Sequence, residues 1–318
     1  MSDLPFIVRP SGTVNPATWL SENQALVETQ LNRSGAILLR TSGATTMEHF
    51  RDAVHLLCDQ GLRYVYRSTP RTDLGGGLYT ATEYPPALSI PFHNENAFQR
   101  EWPLLLLFFC MQPADDGHGQ TPLADTLKVT SRIDPAVRNR FSEKHVMYIR
   151  NYRADVDLPW QTVFQTDSKQ DVEAFCAEHE IEYEWTSGGN LRTRQICQSF
   201  ANNPRTGDTV WFNQAHLFHP SSLSPATREA MEELLDVNEF PRNVTYGDGS
   251  PLEESALANI RHAFEQESTQ FKWEKGDILI LDNMRVSHAR TPFRGQRRVL
   301  TAMGRPFRPE YRPPGVIH

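Results

Sequence analysis

One stretch of the chain, LLLLFFCM at Leu104–Met111, restricts the fold more than any other. It is eight apolar residues long, too short for a typical buried helix, and Pro103 and Pro113 bound it. A strand that is apolar on both sides has to be covered on both faces of its sheet. We therefore expect a central strand here, enclosed between two layers of the protein.

From residue 90 onward the chain carries many short strand signals, and two helical stretches interrupt them. Many short strands with inserted helices favour a mainly β fold, a barrel or jelly roll with helices around it. No internal repeat or long linker divides the chain, so we expect a single domain over residues 1–318, with a helical insertion at about residues 224–267. The expected helices are Thr18–Leu31, Thr45–Cys58, Ser224–Leu235 and Pro251–Glu267, and the expected strands are Gly35–Arg40, Leu104–Met111, Val146–Tyr152, Thr209–Phe212, Phe271–Trp273, Asp277–Leu281 and Arg298–Met303.

The segment Tyr66–Pro91 contains several prolines, a run of three glycines and little periodicity. An irregular segment of this length inside a compact domain is usually functional. The glycine run does not open a helix, so a phosphate-binding loop is not indicated. We therefore expect a lid-like loop here.

Charge is distributed unevenly along the chain. The sequence has 32 Lys and Arg against 39 Asp and Glu, a formal net charge of −7, which argues against a nucleic-acid-binding protein. Residues 285–318, however, contain eight arginines and one acid, Glu310, which gives +7 and leaves −14 on the preceding residues. Such a basic segment suits a nucleic-acid arm, a membrane-surface patch or a pocket for an anionic small molecule.

Cysteine usage and the N-terminus indicate an intracellular protein. The spacing of the cysteines matches no zinc or iron–sulfur pattern, and no C-x-x-C pair is present. The first residues, MSDLPFIVRPSG, lack the charged and apolar regions of a signal peptide, and the longest apolar run is too short to cross a bilayer. We therefore expect a cytoplasmic protein with reduced thiols and no membrane partner. The cysteines are Cys58, Cys110, Cys176 and Cys197.

A first candidate for chemistry is the pair His93 and Glu95 in the tract SIPFHNENAF. Residues i and i+2 of a strand project from the same face, so this imidazole and this carboxylate can bind one metal ion. A second histidine from a distant strand would complete a 2-His-1-carboxylate triad, which leaves positions open and is typical of non-haem Fe(II) oxygenases. Taken alone, a His-x-Glu pair is more often a surface or core histidine.

The tract KGDILILDNMRVSHARTPFRGQRRVL, residues 275–300, supplies the missing parts. It contains a hydrophobic strand, a turn at Asp282–Asn283, and His288 where the chain resumes. Arg298 follows ten residues later, within a second strand signal. This layout places a metal ligand near a fixed cation, which suits the remote carboxylate of a dicarboxylic cosubstrate.

Several ordered blocks resemble a known family. HNEN, GHGQTPLADTLKV, GDILILDNMRVSHARTPF and GQRRVL are similar to the taurine dioxygenase superfamily of Fe(II)- and 2-oxoglutarate-dependent oxygenases. The chain most resembles the clavaminate synthase-like and syringomycin-biosynthesis-like branch, which has Glu where taurine dioxygenase has Asp. The blocks STPRTDLGGGLYTATEYPPALSIPFHNEN and VWFNQAHLFH also look like members from nonribosomal peptide clusters. The resemblance covers about residues 67–307 and implies a double-stranded β-helix (jelly-roll) core flanked by helices.

The resemblance implies the ligands and part of the cosubstrate site. His93, Glu95 and His288 would be the iron ligands. Thr121, in GQTPLAD, matches the position whose hydroxyl assists the C1 carboxylate of 2-oxoglutarate.

An arginine would pair with the C5 carboxylate of the cosubstrate. Arg298 matches that position, and the adjacent Arg297 is the alternative, because the spacing from His288 is shorter than in related hydroxylases. Ala302 stands where the taurine branch carries its sulfonate-binding arginine, so a sulfonate substrate is not expected.

The implied activity is that of a dioxygenase using Fe(II), 2-oxoglutarate and O₂. A carboxylate at position 95 favours hydroxylation over halogenation, because halogenases of the superfamily have Ala or Gly there. The leading interpretation is hydroxylation of an unactivated carbon, Cβ of an amino acid that is free or bound to a peptidyl carrier protein, in antibiotic or related natural-product biosynthesis. The alternatives are a desaturase or epoxidase on the same scaffold, a non-catalytic jelly-roll binding protein, and a zinc hydrolase.

Candidate substrate contacts come from two further tracts. Arg192 and Arg194 alternate on a strand and can present a cation to a substrate carboxylate, although a solvated strand face is an equally good explanation. His216 and His219, in FNQAHLFH, have the spacing of a zinc pair, but the Glu of a zinc protease helix is missing. The candidates are Arg192, Arg194, Phe212, Asn213 and His216.

The basic C-terminal segment fits this interpretation. One of its arginines binds the cosubstrate, and the arginines that bracket His288 (Arg285, Arg290 and Arg294) would shape a mouth for anionic ligands. The segment would also attract an acidic carrier protein. Nucleic acid is not needed as a partner.

Overall fold

The apolar stretch at residues 104–111 lies in the middle of a six-stranded sheet. A computed structural model describes residues 4–40, 43–44, 46–58, 66, 69, 71–154 and 156–311. The strands are β1 Phe6–Val8, β2 Ala36–Arg40, β3 Leu78–Thr80, β4 Ile90–His93, β5 Trp102–Gln112, β6 Leu123–Asp125, β7 Val146–Tyr152, β8 Glu182–Trp185, β9 Leu191–Cys197, β10 Phe200–Asn202, β11 Thr209–Trp211, β12 Arg242–Tyr246, β13 Asp277–Asp282, β14 Val286–Arg290 and β15 Arg298–Phe307. The helices are α1 Pro16–Glu22, α2 Gln24–Ser34, α3 Met47–Cys58, α4 Thr126–Arg132, α5 Pro135–Lys144, α6 Trp160–Phe164, α7 Lys169–Glu178, α8 Ala215–Phe218, α9 Pro225–Leu234 and α10 Glu254–Gln266.

The larger sheet has the order β1-β2-β13-β5-β15-β3, and every neighbouring pair except β1 and β2 is antiparallel. A smaller antiparallel sheet, β4-β14-β6, faces it. A four-stranded sheet, β12-β7-β9-β8, and the hairpin β10-β11 complete the strands. The functional residues discussed below lie mainly on the smaller sheet and on the face of the larger sheet that it covers.

The side chains of β5 alternate between two apolar layers. Leu107 and Phe109 pack with side chains of α1, α2 and α3 on one face of the sheet. Leu106 and Phe108 pack with β6 and β14 on the other face. Alternation is the rule for an extended strand, so a continuous apolar run serves both layers. The expected jelly roll with helices outside it is confirmed, and so is the central strand.

One predicted strand, Phe271–Trp273, is wrong. These residues have no strand pairing, although both aromatic side chains are 8% exposed and their rings lie 4.8 Å apart. Apart from this segment, Thr269 forms an isolated bridge with Leu123. The apolar alternation of the segment reflects burial of its side chains against the core and not a ladder.

The helix predicted at Thr18–Leu31 is divided into α1 and α2 at Asn23. Its side-chain Nδ2 donates to Trp19 O at 2.8 Å, and its ψ of 25° leaves the helical range. Asparagine side chains compete in this way with backbone hydrogen bonds. Thr45, the start of the predicted capping box, lies outside the described residues; Thr46 Oγ1 accepts a hydrogen bond from His49 N at 3.3 Å.

Helices α4 to α7 were not predicted, although three of them carry N-terminal capping residues, the third being Ser168 at the start of α7. The Asp125 side chain accepts hydrogen bonds from the first-turn amides of α4. Asp134 caps α5, and Pro135 follows at its first position. An Asp cap and an Asp-Pro pair are ordinary helix-start signals, so the sequence contained enough information to place these two starts.

The predicted loop Tyr66–Pro91 contains two short strands, β3 and β4, and residues 67, 68 and 70 lie outside the described residues. β3 is the edge strand of the larger sheet and pairs with β15, and β4 pairs with β14. Residues 81–89, between these strands, form turns and irregular backbone. The loop is therefore shorter than predicted, and both of its ends are anchored in sheets.

All four cysteines are buried and unbonded to one another, as their spacing indicated. Within the described ranges, no helix has the length and apolar content that crossing a bilayer requires.

Candidate metal centre

Two strands of the smaller sheet bring the predicted histidines together. β4 and β14 are antiparallel, and His93 lies directly opposite His288 in their ladder. The centroids of the two imidazole rings are 4.2 Å apart. Residues that lie directly opposite each other in such a pair project from the same face, so the ladder sets the distance between the rings.

Glu95 joins the histidines from just beyond the end of β4. Each of the three side chains offers one potential ligand atom, and these atoms lie within 4.8 Å of one another. Among the described residues this is the one group of three or more His, Cys, Asp and Glu side chains with such spacing. Two imidazoles and a carboxylate are the donor set of non-haem Fe(II) sites, so the residues fit this metal ion.

Both imidazoles are held in the form that binds a metal ion. Desolvation lowers the pKa of His93 below its usual 6.5, although Glu95 opposes this shift, and it lowers the pKa of His288 well below that value. His93 Nδ1 lies 2.9 Å from Pro91 O, so this nitrogen donates its proton and the lone pair remains on Nε2. A neutral imidazole is the metal-binding species.

The carboxylate of Glu95 has a buried cation beside it. Arg71 Nη2 donates to Glu95 Oε2 at 2.7 Å, and the two side chains are 3% and 4% exposed. The same nitrogen lies 3.2 Å from Thr82 Oγ1. A buried carboxylate needs a compensating charge, and Arg71 supplies it from the segment that precedes β3.

A cavity opens in front of the two imidazoles, with about 400 Å³ of empty space that includes its open mouth. Four of the predicted residues line it: His93, Thr121, His288 and Arg297. The remaining wall consists of Arg71, Ala81, Thr82, Ile90, Phe108, Ala289, Arg290 and Val299.

Of the two arginines predicted for the cosubstrate, Arg297 lines the cavity and Arg298 does not. Successive residues of an extended segment point to opposite faces. Arg297 and Val299 therefore share the cavity side, whereas Arg298 is exposed to solvent. The preference for Arg298 is corrected in favour of Arg297.

Arg297 is held in place by backbone and an aromatic ring, and among the described residues no carboxylate forms an ion pair with it. Its Nε donates to Gly119 O at 2.9 Å, and its guanidinium lies 5.6 Å from the ring centroid of Phe293. A Cβ on Gly119 would lie 2.9 Å from Arg297 Cδ, so glycine is needed there. Burial lowers the pKa of Arg297 to about 10, which leaves it charged at neutral pH. A buried cation in this state is suited to an anionic ligand.

Thr121 presents an oriented hydroxyl to the same cavity. Trp273 Nε1 donates to Thr121 Oγ1 at 3.1 Å, and Thr121 is 4% exposed. Because the indole nitrogen only donates, the threonine oxygen accepts this bond and its own proton is left to point elsewhere. The hydroxyl can thus donate to an acceptor bound in the cavity.

The candidate substrate contacts Arg192 and Arg194 do not line this cavity. They lie on β9 in the four-stranded sheet, where each lies 3.9 Å from Glu184. Arg192 Nε also donates to Asn151 Oδ1 at 2.7 Å. The explanation as a solvated strand face agrees with this placement.

Phe212 and Asn213 belong to the core. Phe212 is 0% exposed and its ring centroid lies 4.6 Å from that of Trp102. Asn213 Nδ2 donates to Ser199 O and its Oδ1 accepts from Ala215 N, so both ends of the amide serve the local backbone. The expectation that these two residues line a substrate pocket is therefore corrected.

His216 and His219 do not act as a pair. His216 Nε2 donates to the backbone oxygen of Phe92 at 2.8 Å, and Phe92 immediately precedes His93. His216 itself does not line the cavity. His219 Nδ1 accepts a hydrogen bond from Ser221 N at 3.1 Å. His216 therefore bonds to the backbone of β4 and His219 to its own turn, so both imidazoles have separate structural partners.

Arg290, one of the arginines expected to shape a mouth for anionic ligands, does line the cavity, two residues after His288 on β14. Phe108 and Arg71 also line it and were not predicted. Phe108 has its ring centroid 5.2 Å from that of His288, as the alternation along β5 allows. Arg71 had no signal of its own, because its partner Glu95 is 24 residues away.

Comparisons with known proteins agree with this geometry. The family model described as taurine catabolism dioxygenase TauD, TfdA family matches residues 2–303. The dapdiamide synthesis protein DdaC of Enterobacter agglomerans is 39% identical over 279 residues, which cover 88% of this chain and 84% of that protein. A clavaminate synthase-like protein of Arabidopsis thaliana is 31% identical over 288 residues, with 87% and 83% covered.

Among solved structures, asparagine oxygenase in complex with Fe(II), 2S,3S-3-hydroxyasparagine and succinate has a similar fold. Its TM-score is 0.53 at 14% sequence identity, and the match covers 90% of this chain and 79% of that one. At this identity the likeness shows the jelly-roll fold alone.

Proposed function

Because this chain belongs to the TauD, TfdA family of Fe(II)- and 2-oxoglutarate-dependent dioxygenases, we propose that His93, Glu95 and His288 hold its iron. The observation that carries the proposal is the cluster itself: three potential ligand atoms within 4.8 Å of one another at one wall of a cavity. The donor set matches the metal, and the neutral imidazoles are ready to bind it.

We infer that 2-oxoglutarate binds between Arg297 and Thr121. The guanidinium of Arg297 offers charged donors for the distal C5 carboxylate, and the hydroxyl of Thr121 offers a donor for the C1 carboxylate. Both side chains line the same cavity as His93 and His288. Iron and 2-oxoglutarate, when bound, supply the oxidising power that inserts one atom of O₂ into a C–H bond and releases succinate and CO₂.

Part of the cavity wall is apolar. Ile90, Phe108 and Val299 line it together with the charged groups. An apolar, enclosed wall strengthens the electrostatic contacts made inside it and limits side reactions with solvent. These residues therefore orient the substrate through shape, while the charged groups hold the cosubstrate.

We propose that the substrate is an amino acid, free or bound to a peptidyl carrier protein, and that Cβ is hydroxylated. Two comparisons support this choice: DdaC is a dapdiamide synthesis protein, and the asparagine oxygenase structure contains an asparagine hydroxylated at C3. We further propose a role in the biosynthesis of an antibiotic or a related peptide product, which the name of DdaC supports, and a location in the cytoplasm. The carboxylate at Glu95 supports hydroxylation over halogenation.

Two measurements test the proposal. Addition of Fe(II) and 2-oxoglutarate without oxygen should produce a visible charge-transfer band, and His288→Ala should remove both the band and the activity. Amino acids, free and carrier-bound, should then be screened for those that stimulate succinate formation. A chain that gives neither the band nor succinate is not an oxygenase, and the jelly-roll binding protein would then be the correct description.

The product distinguishes the remaining alternatives. A hydroxylase adds one oxygen atom to the substrate, and a desaturase removes two hydrogen atoms, so mass spectrometry separates them. An epoxidase also adds one oxygen, and nuclear magnetic resonance of the product separates an epoxide ring from an alcohol. Reactivation of the chelator-treated protein by Zn²⁺ and not by Fe(II) would indicate a hydrolase instead.

A further inference from the structure

The three candidate ligands are not held in the same way. His93 and His288 are paired within the β4–β14 ladder, which fixes their backbones. Glu95 lies beyond the end of β4, in a turn, where no ladder reaches it. A ligand on a turn needs some other constraint, because a metal site tolerates displacements of only about 0.5 Å.

The side chain of Asn283 supplies that constraint. Its Oδ1 accepts a hydrogen bond from Glu95 N at 2.8 Å, and its Nδ2 donates to Glu95 O at 2.9 Å. The planar amide thus satisfies both backbone groups of Glu95, as a neighbouring strand would. Asparagine provides an acceptor and two donors on a short stem, whereas aspartate has no donor when ionised.

Asn283 is itself rigidly held. It is 0% exposed and lies in the turn between β13 and β14, five residues before His288. Its Nδ2 also donates to Pro103 O at 2.8 Å, and its backbone N donates to Leu104 O at 2.9 Å. Its backbone O accepts a hydrogen bond from Asn94 Nδ2 at 2.6 Å. One buried residue therefore joins the turn that bears Glu95 to the turn that leads to His288.

We propose that Asn283 is a positioning residue of the metal centre, which sets the backbone of Glu95 so that its carboxylate faces the two imidazoles. This role rests on the proposed function of Glu95 as a ligand. Without Asn283, the backbone of Glu95 can move, while Arg71 still holds Oε2 of the carboxylate at its own side of the site. The metal ion would then have to compete with Arg71 for a mobile carboxylate, and its affinity should fall.

The test measures Mn(II) affinity of the metal-free full-length chain by calorimetry, without cosubstrate and without turnover. Asn283→Ala is expected to bind Mn(II) about 10- to 100-fold more weakly, the usual effect of removing a residue that orients a ligand. Asn283→Gln, which keeps the amide but moves it by one methylene, should also bind more weakly and serves if the alanine variant does not fold.

Asn151→Ala is the matched control. Asn151 is another buried amide that bridges backbone groups, with Nδ2 donating to Asn238 O and to Phe240 O, and it does not line the cavity. Its loss should lower thermal stability by a similar amount and leave Mn(II) affinity unchanged.

The outcomes separate this proposal from the one on which it rests. A wild-type chain that binds no Mn(II) overturns the metal site itself. A wild-type chain that binds Mn(II), together with folded Asn283 variants of unchanged affinity, overturns the role of Asn283 alone. Equal losses of affinity in Asn151→Ala and Asn283→Ala would also overturn it, because general destabilisation would then explain both.

Discussion

Arg297 and Arg298 are neighbours in the chain with opposite environments. Arg297 lines the cavity beside the imidazoles, and burial lowers its pKa to about 10. Arg298 is exposed, so water solvates its charge. A ligand carboxylate therefore gains a desolvated, charge-assisted contact from the first arginine and at most a screened one from the second.

Replacement of Arg297 by Gln is expected to raise KM for 2-oxoglutarate by about 10- to 100-fold, because a hydrogen bond to a charged group contributes roughly 1.5–3 kcal/mol. Arg298→Gln provides a control at the next residue and should change KM less than about twofold. Steady-state rates of succinate formation measure both values. Equal effects of the two substitutions would contradict the assignment of Arg297.

A buried histidine near the candidate centre, His216, makes folding stability depend on pH. Burial lowers its pKa to about 4, the charges of Arg261 and His93 act in the same direction, and the hydrogen bond to Phe92 O opposes them. The imidazole of the unfolded chain titrates near 6.5. Above that pH both states bind no proton here. As the pH falls from 6.5 to 4, only the unfolded state gains a proton, so stability is lost.

We expect the free energy of unfolding of the wild type to fall by about 2 kcal/mol between pH 7 and pH 5 because of His216 alone. In His216→Gln the fall over the same pH range should be smaller by this amount. Urea unfolding of the metal-free wild type and variant at both pH values measures the difference. The other histidines are common to both proteins and cancel in the comparison. If both proteins lose stability equally steeply, His216 is not the acid-sensitive group.

At the scale of elements, Arg290 of β14 makes three hydrogen bonds to the segment between β3 and β4. Arg290 Nη1 donates to Tyr84 O at 3.0 Å, and its Nη2 donates to Pro85 O at 2.7 Å and to Leu88 O at 2.6 Å. Tyr84 and Leu88 expose 41% and 49% of their surface, so their side chains contribute little packing. These three hydrogen bonds from β14, together with one from Phe293 N to Pro86 O at 3.0 Å, therefore hold residues 84–88.

Arg290→Gln should loosen this segment, because it removes three charge-assisted hydrogen bonds of roughly 1.5–3 kcal/mol each. Amide hydrogen exchange in residues 82–89 is expected to accelerate by at least about tenfold. Arg294→Gln, at an exposed arginine outside the cavity, should leave this exchange unchanged. Exchange that is as slow in Arg290→Gln as in the wild type would show that the segment is held by other contacts.

At the scale of the whole molecule, the basic C-terminal segment is not a continuous positive surface. Arg285 forms ion pairs with Asp125 at 3.0 Å and with Asp208 at 3.2 Å, and Arg305 lies 3.5 Å from Glu28. Acids from the remainder of the chain therefore neutralise part of its charge. Of the three arginines expected to form an anionic mouth, Arg290 alone lines the cavity, and Arg312 lies outside the described residues.

If Glu95 binds a metal ion as proposed, we expect folding and metal binding to be coupled through the buried pair of Arg71 and Glu95. Any ion that binds only the folded chain stabilises it, by about 2.7 kcal/mol at a concentration 100 times its Kd. Removal of Arg71 leaves a buried carboxylate uncompensated, which typically costs about 3–5 kcal/mol. A metal ion bound to Glu95 would restore the missing positive charge.

Arg71→Met is accordingly expected to lower the Tm of the metal-free chain. Addition of Mn(II) should raise the Tm of this variant by more than it raises the Tm of the wild type. Thermal unfolding with and without Mn(II) measures both effects. Arg40→Met breaks a comparable buried pair with Asp277, outside the cavity, and should lose stability without this additional rescue. If Mn(II) raises the Tm of the wild type, Arg71→Met and Arg40→Met by the same amount, the coupling is contradicted.

The parts of the fold that could be predicted are those determined by local patterns. The central strand β5 followed from its apolar run. His93 and Glu95 lie close together as expected, but Glu95 lies in the turn after β4, so strand alternation is not the reason. Secondary-structure predictions failed where a local sequence pattern and the tertiary contacts favour different conformations. Phe271–Trp273 has a strand-like pattern but packs without a ladder, and Asn23 interrupts a periodic helix with its side chain.

By itself, the sequence determined the candidate ligand types, two histidines and a carboxylate, and the central strand β5, because residue type and short-range periodicity can be read directly from the chain. The tertiary structure alone decided that Arg297 and not Arg298 faces the cavity, and that Arg71 and Asn283 hold Glu95. Which of the two arginines faces the cavity depends on the register of the strand in its sheet, because a shift by one residue moves each side chain to the other face. The placement of Arg71 and Asn283 against Glu95 depends on contacts between residues 24 and 188 positions apart, which no local pattern encodes.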